Sequence, residues 1–431
     1  MKILLINPPN SGRSIPEEEY GIDSLKPIFR GEPLALEVLA GNLRDHEVMI
    51  LDLKVEPEAL AATLLSFAPD LVGITGMTCE ANTMVALAQE VNEHSQSLVV
   101  VGGIHASNDP DFFHQPAIDY IAIGLGKASF RQLILALAEG GDTAAIPGIC
   151  QVGPGDTAHY TPRQFSMADL VDDVPPAYEL VQRYRDQYIL TSLQLNMGFV
   201  VTAFGCPFRC HFCSIKGLTN GRYLSHSIDT VLRDISLLPD IPVIRLLDAN
   251  TFANVEHATR LGWALKEANL NKQFLADVRS DTVVKHPELM VLWRQAGLRA
   301  VIVGFEEIDD SSLSAMNKVS SVAVNSEAIK ILHDIGITIV GDFIISSSYM
   351  PRDFDRLERY IGEHQVDLPM ITVLTPLPGT PLFQDMQSDI RIHDLDYYTL
   401  TNAVTPTVMA EKDFYQRYAT LLKMSHSGAR L

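Results

Sequence analysis

Twice along this chain, short and almost continuously apolar runs alternate with amphipathic stretches, and this pattern restricts the fold more than any other feature. The first set is KILLIN (2–7), EVMILDL (47–53), LVGIT (71–75), LVVVGG (98–103) and YIAIG (120–124). Helical periodicity fills the gaps at 33–45, 57–67, 80–95, near 109–115 and at 127–139. Strands apolar on both faces belong in a parallel sheet covered on both sides. Five of them predict an α/β, Rossmann-like, doubly wound domain over residues 1–140, with ligands held beyond the carboxyl ends of the strands. Residues 141–195 carry Gly, Pro and Asp clusters (GGDTAAIPG, VGPGD, VDDVPPAYE) and no long period, as a linker or inter-domain wrap would. From 196 the alternation restarts with FVVTAF (199–204), VIRLL (243–247), FLADV (274–278), AVIVG (300–304), ITIVGDFII (337–345) and MITVL (370–374). Helical stretches at 255–268, 286–296, 321–335 and 353–364 separate them. Six such units over 196–385 predict a partial (β/α)6, TIM-like barrel, with functional residues at the strand ends. Residues 386–431 read as a short tail of loop and one helix. Trp263 and Trp293 fall in helical patterns and are expected to pack.

Charge narrows the partners. The chain carries 33 basic and 53 acidic residues, a net charge of −20, and no run of Lys or Arg. Such a surface repels nucleic acid and anionic lipid. The opening MKILLINPPN has a short apolar run stopped by Pro8 and Pro9, which suits a first strand better than a signal peptide. No segment approaches a membrane span. Of five cysteines, Cys79 and Cys150 stand far apart with no disulfide framework, so a cytoplasmic protein with reduced thiols is expected.

The other three cysteines fall within GCPFRCHFCS (205–214), in a loop marked by Gly205 and Pro207 just after a barrel strand. A closed zinc site uses four Cys or His ligands, usually in two pairs, and no second pair follows. Three thiolates suit an iron–sulfur cluster with one iron left open to an exogenous ligand. His211, inside the triple, reads as an ordinary loop histidine or as a hydrogen-bond donor tuning the cluster.

C-x3-C-x2-C after a first barrel strand closely resembles the signature of the radical S-adenosylmethionine (SAM) superfamily. The resemblance implies that Cys206, Cys210 and Cys213 hold a [4Fe-4S] cluster whose open iron chelates SAM. An electron would then cleave SAM to a deoxyadenosyl radical that takes hydrogen from a substrate. Phe212 matches the family position near adenine. VGFEE (303–307) resembles a family strand end, giving Gly304 and Glu306 as SAM contacts; a strand-end acid facing water is the plainer role. LLDANTF (246–252) resembles an acidic turn, giving Asp248 and Asn250 as ribose or substrate contacts. Arg279 in DVRSD occupies a place where the family often has an Arg near the SAM carboxylate, with a structural salt bridge as the alternative. Gly341 and Pro378-Gly379 also match strand ends and serve backbone geometry. No side chain is singled out as catalytic.

The first domain, placed before such a barrel, looks like a cobalamin (B12)-binding domain. INPPN (Asn7, Pro8), GITGMT (Thr75, Met77, Thr78), VGGIHAS (Gly102, Gly103, His105) and IAIGLGKASF (Gly124, Gly126) match its loops in order, and small residues there let backbone approach a large corrin. Two departures matter. The family's D-x-H-x-x-G reads DLKVEP, with Lys54 for His and Pro57 for Gly, and the loop usually reading G-E-G-E is GLGK, ending at Lys127. A domain that has lost cobalamin is therefore the alternative, and His105 could be a loop histidine with a structural hydrogen bond.

EPLALEVLAG and RYRDQYI resemble segments of the cobalamin-dependent group that includes hopanoid methylases. That implies methyl transfer to an unactivated carbon or phosphorus of a small-molecule or lipid substrate. One SAM would methylate cobalamin, a second would give the radical, and an electron donor such as flavodoxin or ferredoxin would be needed. The alternative keeps the cluster but performs cyclisation, rearrangement or aminocarboxypropyl transfer from SAM. Tyr397, Tyr398 and Phe414 in the tail read as core packing or as a pocket lining.

Overall fold

The computed structural model describes residues 1–22, 30–153, 157–190 and 195–427. Residues 154–156 of VGPGD, 191–194 of the wrap and the last four of the tail lie outside them.

The first sheet takes β1 (Lys2–Asn7), β2 (Glu47–Asp52), β3 (Leu71–Gly76), β4 (Leu98–Gly103), β5 (Tyr120–Ala122) and β6 (Ile149–Gln151) in the order β2-β1-β3-β4-β5-β6. The first five are parallel, as their two-sided apolar runs require, with Leu4, Leu5, Leu71 and Val99 at most 1% exposed. Strand order reverses between β1 and β3, which makes the carboxyl ends of β1, β3 and β4 the place for a ligand. β6 extends the sheet antiparallel to β5 from a stretch read as linker. Three residues give no readable alternation, and their pairing partner lies in another segment. The wrap is also more than a connection. Its 3-10 run Tyr178–Gln187 buries Val181 and Tyr184, and Tyr188 follows them into the core of the first domain. Tyr178 donates to the Phe199 carbonyl at 2.9 Å, and the buried Glu32–Arg185 ion pair ties the wrap to the segment before residue 34.

The second sheet contains β7 (Ile189–Leu190), β8 (Leu195–Val200), β11 (Val243–Leu246), β12 (Gln273–Val278), β13 (Leu298–Glu306), β14 (Thr338–Ile345) and β15 (Leu368–Val373); a small hairpin of β9 (Ala203–Phe204) and β10 (Leu224–Ser225) stands beside it. β8 and β11 to β15 run parallel in chain order, and no pairing joins β15 back to β8 among the described residues, so the barrel is open. Its first strand ends at Val200, four residues earlier than FVVTAF suggests. The cause is Asp248, which accepts from the Thr202 and Ala203 backbone N–H groups at 2.7 and 3.0 Å and from the Thr202 hydroxyl at 2.6 Å. A carboxylate thus replaces a neighbouring strand as acceptor, and the backbone leaves the sheet.

Trp293 is fully buried and donates to the Ala258 carbonyl at 2.9 Å, whereas Trp263 is half exposed under Lys266, so only one of the two packs in the core. Helix Glu411–Ser427 covers the open edge, with Tyr418 donating to the Ile371 carbonyl at 2.7 Å and Phe414 fully buried. The preceding loop crosses to the first domain, whose core includes Leu395, Tyr398 and Val404. Tyr397 donates to Glu18 at 2.8 Å. All three tail aromatics therefore pack or pair within the tail and its supports. Among the described residues no helix is long and apolar enough to cross a membrane.

Candidate active site

The three-cysteine loop starts at Gly205, whose φ of 77° is left-handed; a Cβ there would lie 2.1 Å from the Arg222 carbonyl oxygen. Only glycine meets both demands. The turn Met316–Val319 then holds the loop from outside. His211 N–H donates to the Met316 carbonyl at 3.0 Å, and the Asn317 amide donates to the Arg209 carbonyl at 2.6 Å. The first domain also takes part, because Asn108 donates to the Ser214 carbonyl at 3.0 Å.

Cys206, Cys210 and Cys213 are free and partly exposed. Burial pushes the Cys213 thiol up to about 11, and the neighbouring Cys210 and Cys206 add to this. Burial raises Cys210 as well, against the pull of Lys318 and Arg279. The thiols thus sense one another, yet among the described residues no three His, Cys, Asp or Glu side chains gather closely enough to hold one metal ion. Three neighbouring thiols on one loop would suit a polynuclear cluster, in which each thiolate bonds a different iron and positive charge offsets the cost of ionising buried thiols.

At the end of β13 the chain bulges between Gly304 and Glu306, and Glu306 takes a left-handed φ of 64°. Its carboxylate meets Lys318 Nζ at 2.6 Å, with both side chains under 10% exposed. A Cβ on Gly304 would sit 2.3 Å from Glu306 Oε1 and 2.9 Å from Lys318 Nζ. Gly304 therefore clears room for this ion pair. Arg279 is engaged too: it pairs with Asp281 at 2.8 Å, donates to the Val319 carbonyl at 2.7 Å, and lies 3.7 Å from the Phe208 ring centroid. The structural salt bridge is present, and the same guanidinium props the cysteine loop. Phe212 is partly buried in that loop.

Asp248, expected as a ligand contact, is instead the acceptor that shapes the strand end. Asn250 differs. It is 2% exposed, and neither amide atom has a partner among the described residues. Such a group is costly when buried unless a ligand or water completes it. Deeper in the barrel, Arg245 pairs with Asp277, whose carboxyl burial raises to about 6 despite that partner. Burial and the nearby Glu306 and Asp277 likewise hold Asp342 well above the usual carboxylate range. Lys318, Asp342 and Asn108 were not legible as site residues. Each is a lone polar residue whose neighbours come from other segments, and only the "MNK" turn after a short helix hinted at Lys318.

Asp248→Ala is expected to cost about 2–4 kcal/mol, because buried donors lose their acceptor. Chemical denaturation measures it. An unchanged stability with lost SAM binding would restore Asp248 as a ligand contact.

In the first domain an apolar cavity of about 330 Å³ opens at the switch point. Gly73, Thr75, Gly102 and Gly124 line it together with Gly205, at the start of the cysteine loop, and Leu218 in the short helix Lys216–Thr219 that follows. Gly103 and Gly126 also border it. Asn7, Pro8, Met77, Thr78 and His105 do not. Asn7 donates to Asp52 at 2.8 Å and so clamps two strand ends. Pro8 and Thr78 are buried, and Met77 is half exposed. His105 is 1% exposed between the Phe112 and Phe113 rings, neither nitrogen has a partner among the described residues, and burial lowers it to about 4. It is a neutral packing residue, without the structural hydrogen bond expected of a loop histidine. Lys54, in place of the cobalt-ligating histidine, is held by Glu80 at 2.7 Å. Lys127 also borders the cavity; its Nζ donates to the Val171 and Val174 carbonyls, both at 2.9 Å, and burial lowers it to about 8.

A glycine-lined, apolar wall fits close approach of a large ring system. Its volume of about 330 Å³ would take part of such a group. Residues 25–134 match the B12 binding domain family, and residues 200–359 match the Radical SAM superfamily. The chain carries both domains of the B12-binding radical SAM enzymes. Relatives of this class include the hopanoid C-3 methylase of Methylococcus capsulatus, 27% identical over 90% of this chain and 75% of its own length. The anaerobic magnesium-protoporphyrin IX monomethyl ester cyclase of Rubrivivax gelatinosus is 26% identical over 80% of this chain and 62% of its own. Among solved structures, the radical SAM methyltransferase TsrM of Kitasatospora setae, with cobalamin and a [4Fe-4S] cluster bound, superposes with a TM-score of 0.72 over 97% of this chain and 85% of its own, at 19% identity. B12-binding radical SAM enzymes of this kind thus share both halves of the architecture described above.

Proposed function

We propose that this chain is a cobalamin-dependent radical SAM methyltransferase acting on an unactivated carbon or phosphorus of a small-molecule or lipid substrate. The observation that carries the reading is the shared cavity: strand-end glycines of the first domain and Gly205, at the start of the three-cysteine loop, line one apolar space. When bound, the cluster supplies an electron that cleaves SAM, and cobalamin supplies the methyl carrier.

The chain's own part is holding and shielding. Cys206, Cys210 and Cys213 would hold the cluster, and the Met316–Val319 turn and Arg279 fix their loop. Asn250 offers a buried amide with both atoms free for a polar ligand edge such as the SAM ribose or a substrate. Glu306 and Lys318 present opposite charges to the ammonium and carboxylate of a bound amino-acid moiety. Lys54, tied to Glu80, would offer cobalamin no imidazole from that position. The apolar wall excludes water, which strengthens these interactions and protects a radical.

Anaerobically reconstituted protein is expected to show corrin absorbance, and turnover to yield S-adenosylhomocysteine and 5′-deoxyadenosine in equal amounts. Deoxyadenosine alone would favour the cyclase-like reading that the Rubrivivax relative motivates, and methylthioadenosine would point to aminocarboxypropyl transfer.

A further inference from the structure

The chain has no Asp or Glu from 187 to 228, its longest acid-free interval, and the three-cysteine loop lies inside it. Arg209, Lys216 and Arg222 in this interval are all exposed. Arg163, Arg233, Arg245 and Arg279 each hold a carboxylate, whereas these three have no side-chain partner among the described residues. The fold gathers them around the cysteines. Arg209 lies between Cys206 and Cys210. The β9–β10 register, which pairs Leu224 with Phe204, carries Arg222 toward Cys206, and its carbonyl packs on Gly205. A Cβ on Gly221 would lie 3.7 Å from the Lys216 side chain, so Lys216 stands beside Arg222.

We propose that Arg209, Lys216 and Arg222 form the docking surface for a small acidic electron-transfer protein that reduces the cluster. This rests on the radical SAM reading of the loop. A net charge of −20 repels an acidic partner from most of the molecule, so one basic face beside the cysteines selects the approach that brings its redox centre near the cluster. Such encounters are small and brief, and charge sets their rate and orientation more than their affinity. The exchange balances simply: a reduced flavin or iron–sulfur centre loses one electron, the cluster gains one, and no bond is made.

The test compares reconstituted wild type with Lys216→Glu/Arg222→Glu and Lys216→Gln/Arg222→Gln, leaving Arg209 between the cysteines untouched. Reduced flavodoxin drives SAM cleavage in one arm and dithionite in the other, and flavodoxin binding is measured separately by calorimetry without turnover. Charge reversal is expected to weaken binding and slow flavodoxin-driven cleavage by about tenfold at low salt, with the neutral variant in between. The gap should close between about 0.01 and about 1 M salt, as the Debye length falls from about 30 to about 3 Å. Iron content and the dithionite rate should stay at wild-type level. Unchanged binding and an unchanged flavodoxin-driven rate would overturn the proposal. If dithionite fails to cleave SAM even with wild type, the radical SAM reading fails instead, and calorimetry still decides whether this face binds flavodoxin.

Discussion

Cys213→Ala is expected to leave a folded protein that retains no intact cluster and cleaves no detectable SAM. A four-iron cluster that loses one of three protein ligands has two open corners instead of one. Iron analysis and charge-transfer absorbance after anaerobic reconstitution measure the first effect, and deoxyadenosine formation the second. Cys206→Ala and Cys210→Ala should behave alike. Cys79→Ala and Cys150→Ala, outside the loop, should keep iron and cleavage at wild-type level. Loss of iron in either control would mean that the ligand set has been misassigned.

Lys318→Met should produce the largest change in stability. It removes the partner of a carboxylate that is under 10% exposed, and an uncompensated buried charge costs about 3–5 kcal/mol. Glu306→Gln/Lys318→Met should recover much of that loss, since neither charge remains. Urea denaturation of the single and double variants gives the coupling, and SAM affinity should fall in both. If Lys318→Met proved as stable as wild type, the pair would contribute nothing, and the account of Gly304 as clearance for it would fail.

What could be read from the sequence was whatever depends on neighbours along the chain. The apolar runs of 2–7, 71–75 and 98–103 gave the parallel sheet because the pattern itself demands burial on two faces, and the cysteine spacing gave the loop chemistry because three thiolates so close need a shared partner. Strand ends and side-chain roles were another matter. Val200 ends its strand because of Asp248, 48 residues away, and the competing acceptor leaves no mark on FVVTAF. Arg279, Glu306 and Gly304 stand at strand ends as their motifs suggest, but the pairing of Arg279 with Asp281 and of Glu306 with Lys318 is tertiary. His105 stood in the right loop and turned into the core. The sixth strand and the buried 3-10 run were invisible because each is too short or too polar to carry a period.

The segment around Leu395, Tyr398 and Val404 completes the core of a domain that begins almost four hundred residues earlier. A ribosome making this chain therefore cannot finish its first domain first. The nascent N-terminal half must wait, with an apolar seam uncovered, until the barrel and its tail have been synthesised. An excised N-terminal domain should aggregate for the same reason, so the two halves are separable in alignment but inherited as one folding unit.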